Sequence, residues 1–175
     1  RLKRKIQRQQ FWLIFLYLLF LIYPFVSSTV ISIWVCKSVG GHRYLQADMR
    51  QECGTDVWKR YSSASAGLMF VYPVGIPALY LFMLARYRGR LNEPGVRAQL
   101  GFLYDAYTGE RWWFELVDLG HKLFLTSLLL LVPADAALSV GLAVAGTYFG
   151  LLCVLRPYLR KSDDRLHMIG QCYLI

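Results

Sequence analysis

Four ionisable residues lie close together in an otherwise apolar stretch in the second half of the chain. Glu115, Asp118 and Lys122 recur at i, i+3 and i+7, which places them on one face of a helix, and His121 lies beside Lys122. Asp118 and Lys122 are four residues apart and are expected to form an ion pair. Glu115 is nearer the interface, and we expect it to pair with Arg111 or another basic residue of the cytoplasmic connection. Ionisable side chains within a membrane avoid lipid and contact protein or water. The group therefore predicts an intramembrane charge network.

Two functions are open for this network. It would form an ion or proton path, or a gate held by a charge pair, if it contacts water. It would anchor its helix to neighbouring helices if it contacts protein alone. Trp112 and Trp113 are typical of a membrane interface at the start of this helix, and they favour the anchoring interpretation.

Other kinds of chemistry find little support in the sequence. The only histidines are His42, His121 and His167, and no zinc or haem spacing, nucleophile elbow or glycine-rich phosphate loop occurs. An intramembrane enzyme built on Asp118 and His121 is an alternative, but two adjacent ionisable groups do not make a catalytic site. We therefore expect no enzymatic activity, no catalytic residues, no cofactor and no metal.

The composition predicts a membrane protein. Of the 175 residues, 56% are hydrophobic, and they fall into runs near the roughly 20 residues that cross a bilayer core as a helix. The net charge of +9 is distributed in short basic clusters between these runs, so we expect no nucleic-acid partner. The chain begins with Arg1 rather than Met and ends in an apolar segment, and we expect it to be part of a longer protein.

The apolar runs predict the elements that position the charge network. We expect an all-α fold, a polytopic transmembrane helical bundle that forms one domain over residues 1–175. It has four full membrane helices and the start of a fifth, at about residues 11–35, 64–85, 112–132, 136–155 and 164–175 onward. Residues 36–63 form an extracellular loop and 86–111 a cytoplasmic connection. Kinks are expected at Pro24, Pro73 and Pro77, because proline removes a helical hydrogen bond.

The basic residues predict the orientation. With alternating helices, 14 lysines and arginines of the loops and termini lie on the side of the N-terminus and 5 on the other side. Because short cytoplasmic loops carry the excess of basic residues, the N-terminus should be cytoplasmic. We expect an integral protein of the plasma or ciliary membrane. Its partners would be membrane lipids, other membrane subunits, or an extracellular region of the same chain.

Two cysteines bracket the first loop on the predicted outer side. Cys36 and Cys53 would lie in an oxidising compartment, where thiols pair. A disulfide would fix the loop across the ends of the first two helices. Two unrelated thiols, or a metal site that includes His42, are the alternatives.

Several segments, in order along nearly the whole chain, resemble a family of TRP-like C-terminal membrane domains. These domains occur in algae, oomycetes and other protists, usually after very large Cys-rich or EGF-like extracellular regions. The matching segments are IYPFVSS at 22–28, Cys36, YLQAD at 44–48, Cys53, VYPVGIPAL at 71–79, Leu103 with Tyr104, WWFELVDLGHKLFLT at 112–126, RPY at 156–158 and DRL at 164–166.

The resemblance implies a multi-helix domain with the two loop cysteines bridged and a channel-like role. It points to a cation channel or sensory receptor subunit. The alternative function is a non-conducting membrane anchor for a large extracellular assembly. This chain departs from the family at Gly120 and His121, where the family tends to carry a bulkier and more basic pair.

Overall fold

The computed structural model describes residues 2–173, and the side chains of residues 7–173. The fold is mostly helical, with one small sheet. The helices are α1 (Leu2–Ser32), α2 (Asp56–Met69), α3 (Ile76–Tyr87), α4 (Pro94–Leu100), α5 (Phe114–Thr126), α6 (Ala134–Leu155) and α7 (Lys161–Cys172). The strands are β1 (Cys36–Val39), β2 (His42–Leu45) and β3 (Asp48–Glu52). Four basic residues that contributed to the predicted orientation have side chains outside the described part of the structure: Arg1, Lys3, Arg4 and Lys5.

Three helical segments within the described chain are long and apolar enough to cross a membrane. They are Gln7–Ser32, Asp56–Arg90 and Ala134–Leu155. Their outer surfaces are apolar, since Phe25, Phe70, Phe82 and Val154 are each more than 60% exposed. Such a surface suits lipid better than water.

The predicted third membrane helix, 112–132, is not one continuous α-helix. It consists of α5, with 13 residues, followed by a break at Ser127 and a 3₁₀ turn at Leu128–Leu131. The sequence explains its low hydropathy, because Glu115, Asp118 and Lys122 fall within its first turns. This segment is therefore not the single continuous helix that the prediction of four full membrane spans requires.

Other helix boundaries also differ from the prediction. The first helix continues through polar residues on its N-terminal side, and the second begins at Asp56 rather than at residue 64. Thr55 explains the earlier start, because its hydroxyl oxygen accepts a hydrogen bond from the amide of Trp58 at 3.3 Å and caps the helix. The helix predicted from residue 164 begins at Lys161, and the end of its predicted range, residues 174–175, lies outside the described residues.

The expectation of an all-α fold is wrong for the first loop. Strands β1, β2 and β3 form an antiparallel sheet in that order. Gly40 and Gly41 connect β1 to β2 with positive φ angles of 59° and 87°, the conformation that a two-residue hairpin turn requires. The strands have four or five residues and are mostly exposed, so they lack the alternating apolar pattern by which strands are recognised.

Side-chain hydrogen bonds to backbone carbonyls join α1 to the helical segment Asp56–Arg90, here called the α2–α3 unit. In three of the four bonds, a side chain of the α2–α3 unit donates to a carbonyl oxygen at or just after α1. In the fourth bond, Tyr23 of α1 donates to a carbonyl oxygen of the α2–α3 unit. The pairs are Tyr80 with Leu16 (2.8 Å), Tyr23 with Pro73 (3.1 Å), Ser65 with Val30 (2.7 Å) and Trp58 with Ile33 (3.1 Å). In an apolar environment, little water is present to compete for these donors and acceptors. The four hydrogen bonds therefore fix the register of the two helical segments.

The three prolines have different surroundings. Pro24 lies inside α1, which continues on both sides of it. Pro73 lies in a π-helical segment, Phe70–Gly75, and Pro77 lies in the first turn of α3. The regular α-helical hydrogen bonds are thus interrupted around Pro73, and the predicted kinks themselves remain predictions.

A backbone contact brings the long connection beside the end of α6. The amide of Thr108 donates to the carbonyl of Pro157 at 2.9 Å, and the amide of Leu159 donates to the carbonyl of Ala106 at 2.9 Å. Tyr107 and Tyr158 form an isolated antiparallel bridge. This contact places the Tyr107 side chain next to α5.

Candidate functional site

Asp118 is the centre of a buried polar cluster on α5. Its side chain is almost fully buried, with 4% of its area exposed, and both carboxylate oxygens have partners. Lys122, one turn further along α5, lies 2.5 Å from one oxygen, and the hydroxyl of Tyr148 on α6 donates to the other at 2.6 Å. The pairing of Asp118 with Lys122 is the one expected from the i, i+4 spacing.

Tyr148 connects Asp118 to a third helix. Its hydroxyl oxygen lies 3.1 Å from Nε2 of His167 on α7, and the same Nε2 lies 3.6 Å from Oδ1 of Asp118. Because the Tyr148 hydrogen is donated to Asp118, the contact with His167 requires a hydrogen on Nε2 that is donated to the tyrosine oxygen. One carboxylate thereby joins α5, α6 and α7.

Glu115 has a different partner from the one expected. The predicted partner was Arg111 or another basic residue of the connection. Instead, Tyr107 donates its hydroxyl to Glu115 Oε2 at 2.7 Å, at a point where both residues are buried. Burial, together with the neighbouring Glu115 carboxyl, raises the pKa of Tyr107, so its hydroxyl stays protonated and serves as a donor.

His121 is buried between Tyr148 of α6 and Gln171 of α7. Its ring is stacked on that of Tyr148, with 3.9 Å between centroids and 9° between planes. The side chain of Gln171 is close enough to interact with the His121 ring, but neither ring nitrogen makes a hydrogen bond of good geometry with a described residue, and only 7% of His121 is exposed.

Aromatic rings extend the cluster towards the connection. The ring of Tyr158 lies 5.3 Å from that of His167 and 5.0 Å from that of Tyr107. Burial raises the pKa of Tyr158 to about 12, so this ring is neutral at physiological pH. The two carboxylates of α5 are therefore separated from solvent by neutral aromatic groups as well as by helices.

The sequence identified one helix of the cluster and missed its partners. Glu115, Asp118, His121 and Lys122 were predicted as a group. Tyr148, His167 and Tyr107 were not, because they are 8 to 49 residues away along the chain. One signal was available. Tyr148 is the single tyrosine of α6, a helix that consists mostly of small and aliphatic residues, and a polar group within an apolar helix needs a partner.

The cysteine pair of the first loop is a disulfide. Cys36 and Cys53 are bonded, with 6.5 Å between their Cα atoms, and the bridge joins the start of β1 to the turn before α2. The alternative of a metal site with His42 does not hold, because the two cysteine sulfurs are bonded to each other. Nδ1 of His42 lies 2.9 Å from Glu52 Oε1. Within residues 7–173, no group of three or more His, Cys, Asp or Glu side chains is arranged to hold a metal ion.

Comparison with known proteins identifies one similar sequence region. The chain is 25% identical over 166 residues to cysteine repeat modular protein A of Toxoplasma gondii. The similarity covers 85% of this chain but 5% of the relative, so the chain spans a small fraction of that protein. No family model and no solved structure matches the chain. The chain is thus similar to part of a large protist protein named for its cysteine repeats.

Proposed function

We propose that the chain is a TRP-like integral membrane domain that serves as part of a cation channel or sensory receptor. In this proposal the Asp118 cluster couples three helices during gating. Membrane insertion is supported by the three long apolar helical segments and their exposed aromatic and aliphatic side chains. The segment 112–132 would be the fourth span, with its polar first turns covered by α6 and α7.

The main support for a gating role is the position of the Asp118 carboxylate, which lies where α5, α6 and α7 meet. An ionised group away from water is costly unless it is paired and hydrogen-bonded. A helix that only anchored the chain would pack equally well with an apolar residue at position 118. Asp118 with Lys122, Tyr148 and His167 instead forms a set of contacts that can exchange partners when the helices move.

The burial of the carboxylates favours a coupling role over a pore lining. Asp118 is 3% exposed and Glu115 is 9% exposed, and both contact protein groups. A pore lining would require polar groups along a continuous water path. We therefore assign the conducting path to other subunits or to other segments of the protein.

The test is the substitution Asp118→Asn in the full-length protein, expressed in a cell suited to current recording. We expect a change in current or in the stimulus needed for opening, at unchanged surface abundance, because the amide cannot form the ion pair with Lys122. Asp135→Asn is the matched control, since Asp135 is exposed in the first turn of α6, outside the cluster. A change in abundance alone, with no change in current, would refute the gating role.

A second candidate function is a non-conducting anchor for a large extracellular assembly. It is favoured by the similarity to 5% of a much longer cysteine-repeat protein, in which most of the chain lies elsewhere. Replacing the present chain by an unrelated membrane helix in the full-length protein discriminates the two functions. Retained cellular function after the replacement would favour the anchor, and loss at equal surface abundance would favour the channel or receptor.

The orientation belongs to the same proposal, with the N-terminus cytoplasmic and the sheet outside a plasma or ciliary membrane. Two independent features support it. Basic residues are in excess on the proposed cytoplasmic side. The disulfide lies on the opposite side, and disulfides persist in oxidising compartments. Membrane lipids and other membrane subunits are the proposed partners.

A further inference from the structure

A pocket opens where the membrane-spanning segment Gln7–Ser32 begins and the segment Asp56–Arg90 ends. Its volume is about 400 Å³, within the range of small-molecule sites. Side chains of α1 and α3 form most of its walls, and Gln99 of α4 completes the lining. In the orientation proposed above, the pocket lies on the cytoplasmic side, at the depth of the lipid head groups.

The polar side chains of the pocket can all donate hydrogen bonds. They are the guanidinium of Arg8, the amides of Gln9 and Gln99, the indole of Trp12 and the hydroxyl of Tyr87. None of the five makes a side-chain hydrogen bond or a salt bridge with another residue that the structure describes. A ligand with several acceptor oxygens would therefore find donors that the fold does not use.

The charge around the pocket favours a negatively charged ligand. The described lining contains Arg8 and no Asp or Glu. Two acidic residues of the connection that follows α3 are paired elsewhere, Glu93 with Arg90 at 2.7 Å and Asp105 with Arg97 at 3.0 Å. Four further basic residues and no acidic residue precede Arg8 in the sequence. An anion that binds Arg8 would thus meet little competition from the carboxylates of the chain.

The walls of the pocket become apolar with increasing depth in the membrane. Arg8, Trp12 and Leu16 lie about 2, 8 and 14 Å from the start of the first span, at the helical rise per residue. On α3, Met83 also lies on the membrane side of the pocket, two turns before the end of the second span. A phospholipid has the same order of groups, with its phosphate at the surface and its acyl chains below. A soluble anion would leave the deeper part unfilled.

The pocket is continuous with the surface that faces lipid. Trp12 is 40% exposed, and its ring lies 6.2 Å from that of Phe11 and 5.9 Å from that of Phe15. Phe11 and Phe15 are 64% and 46% exposed. A lipid could therefore enter the pocket from the bilayer and keep part of its acyl chains in contact with other lipids.

We propose that this pocket binds an anionic glycerophospholipid of the cytoplasmic leaflet, with the lipid phosphate hydrogen-bonded to Arg8 and an acyl chain against Leu16 and Met83. The cytoplasmic leaflet carries anionic lipids, and basic groups at its surface attract them. The inference rests on the membrane insertion and the orientation proposed above, but not on ion conduction.

The experiment uses the full-length protein reconstituted in phosphatidylcholine vesicles that contain phosphatidylserine with a photoreactive acyl chain. We expect light-dependent labelling of α1 and α3 near Leu16 and Met83, displaced by unlabelled phosphatidylserine but not by the same amount of added phosphatidylcholine. Arg8→Gln should reduce the labelling about tenfold, the equivalent of losing one hydrogen bond between charged groups. Arg86→Gln is the matched control. It removes the same charge from an exposed position of α3 that does not line the pocket.

A second variant tests a neutral donor. Gln99→Leu keeps all charges and approximately the size of the side chain, but it removes the amide. The labelling should fall about fivefold, the equivalent of one ordinary hydrogen bond. Gln10→Leu is the control, because Gln10 is exposed on α1 and lies outside the lining.

Three results would overturn the proposal. The first is equal labelling of the wild type and Arg8→Gln, and the second is an equal loss in Arg8→Gln and Arg86→Gln, which would indicate a general attraction to basic residues. The third is displacement of the lipid by inorganic phosphate or glycerophosphoserine as effectively as by phosphatidylserine, which would indicate a site for a soluble anion. Flotation of the vesicles reports insertion and maleimide labelling of the loops reports orientation, so a failure of either is distinguishable from a failure of lipid binding.

Discussion

The hydroxyl of Tyr23 on α1 donates to the backbone carbonyl of Pro73 at 3.1 Å, at a point where both residues are buried. In a regular α-helix the amide of residue 77 would donate to this carbonyl. Residue 77 is a proline and has no N–H to donate. A side chain of one helix therefore donates to a carbonyl that cannot accept the regular α-helical hydrogen bond, because the residue four positions on is a proline.

Removing the Tyr23 hydroxyl should destabilise the protein. For Tyr23→Phe we expect the free energy of unfolding to fall by about 1–3 kcal/mol, the cost of leaving a buried carbonyl unsatisfied. Denaturant titration in detergent micelles measures this change. Tyr61→Phe is the control with little effect, because Tyr61 is 67% exposed and makes no side-chain hydrogen bond with the described residues.

A double-mutant cycle tests the stated cause. Pro77→Ala restores an amide that can donate to the Pro73 carbonyl, so Tyr23→Phe should cost less in that background than in the wild type. The expected interaction energy is about 0.5–3 kcal/mol, the range for residues in direct contact. Strictly additive effects would show that the tyrosine does not compensate for Pro77.

The sequence predicted the helices that depend on local apolar runs. The runs that give α1, the α2–α3 unit and α6 are long enough for membrane spans, and each is helical in the structure. The small sheet was missed because its strands are short and mostly exposed, and a disulfide closes the segment that contains them. The length of a segment and the periodicity of its apolar residues do not reveal a structure that a disulfide stabilises.

Contacts across the chain explain the other differences. Glu115 was expected to pair with a nearby base, yet its partner is the phenol of Tyr107, which the bridge between Tyr107 and Tyr158 positions. The partners of Asp118 on α6 and α7 are 30 and 49 residues away along the chain. Helical periodicity identifies residues that share a face but not the residues that this face contacts.

The disulfide should stabilise the region where α1 ends and α2 begins. Replacing both Cys36 and Cys53 by Ser is expected to lower the free energy of unfolding by about 3 kcal/mol, because the crosslink restricts the unfolded chain. Thermal unfolding with and without a reductant measures the effect. A variant with Cys153 and Cys172 replaced is the control, since these thiols are free and should leave the effect of the reductant unchanged. Unfolding of the wild type that does not respond to reductant would contradict the prediction.

The proposed orientation predicts which loops react with a reagent added outside the cell. In a background without Cys153 and Cys172, a membrane-impermeant maleimide should label Gln51→Cys in β3 but not Asn92→Cys in the connection. Both positions are exposed in the structure, so a difference in labelling reports the side of the membrane rather than burial. Permeabilised cells, in which both positions should react, are the control. The reverse pattern in intact cells would invert the topology.

The π-helical segment should depend on Gly75. A Cβ atom at this position would lie 3.0 Å from the carbonyl oxygen of Phe70, closer than most real Cβ contacts. Gly75→Ala is therefore expected to destabilise the protein by about 1–3 kcal/mol, as overpacking typically does. Gly67→Ala, about two turns earlier in the same helical unit, has free space around its Cβ and should stabilise the helix by about 0.5–1 kcal/mol. Equal effects of the two substitutions would show that the segment does not need glycine at position 75.

Tyr148 should contribute to the stability of the Asp118 cluster as much as the charged residues do. Tyr148→Phe removes the donor to Asp118 Oδ1 and the contact with His167, and it keeps the ring that stacks on His121. We expect the free energy of unfolding to fall by about 1.5–3 kcal/mol, the usual contribution of a hydrogen bond to a charged group. In the background of Asp118→Asn the same substitution should cost less, because the acceptor no longer carries a charge. If the cluster couples the helices during gating, Tyr148→Phe and Asp118→Asn should alter the same feature of the current. If the cluster only stabilises the fold, both variants should lower the free energy of unfolding, and the protein that reaches the cell surface should gate as the wild type does.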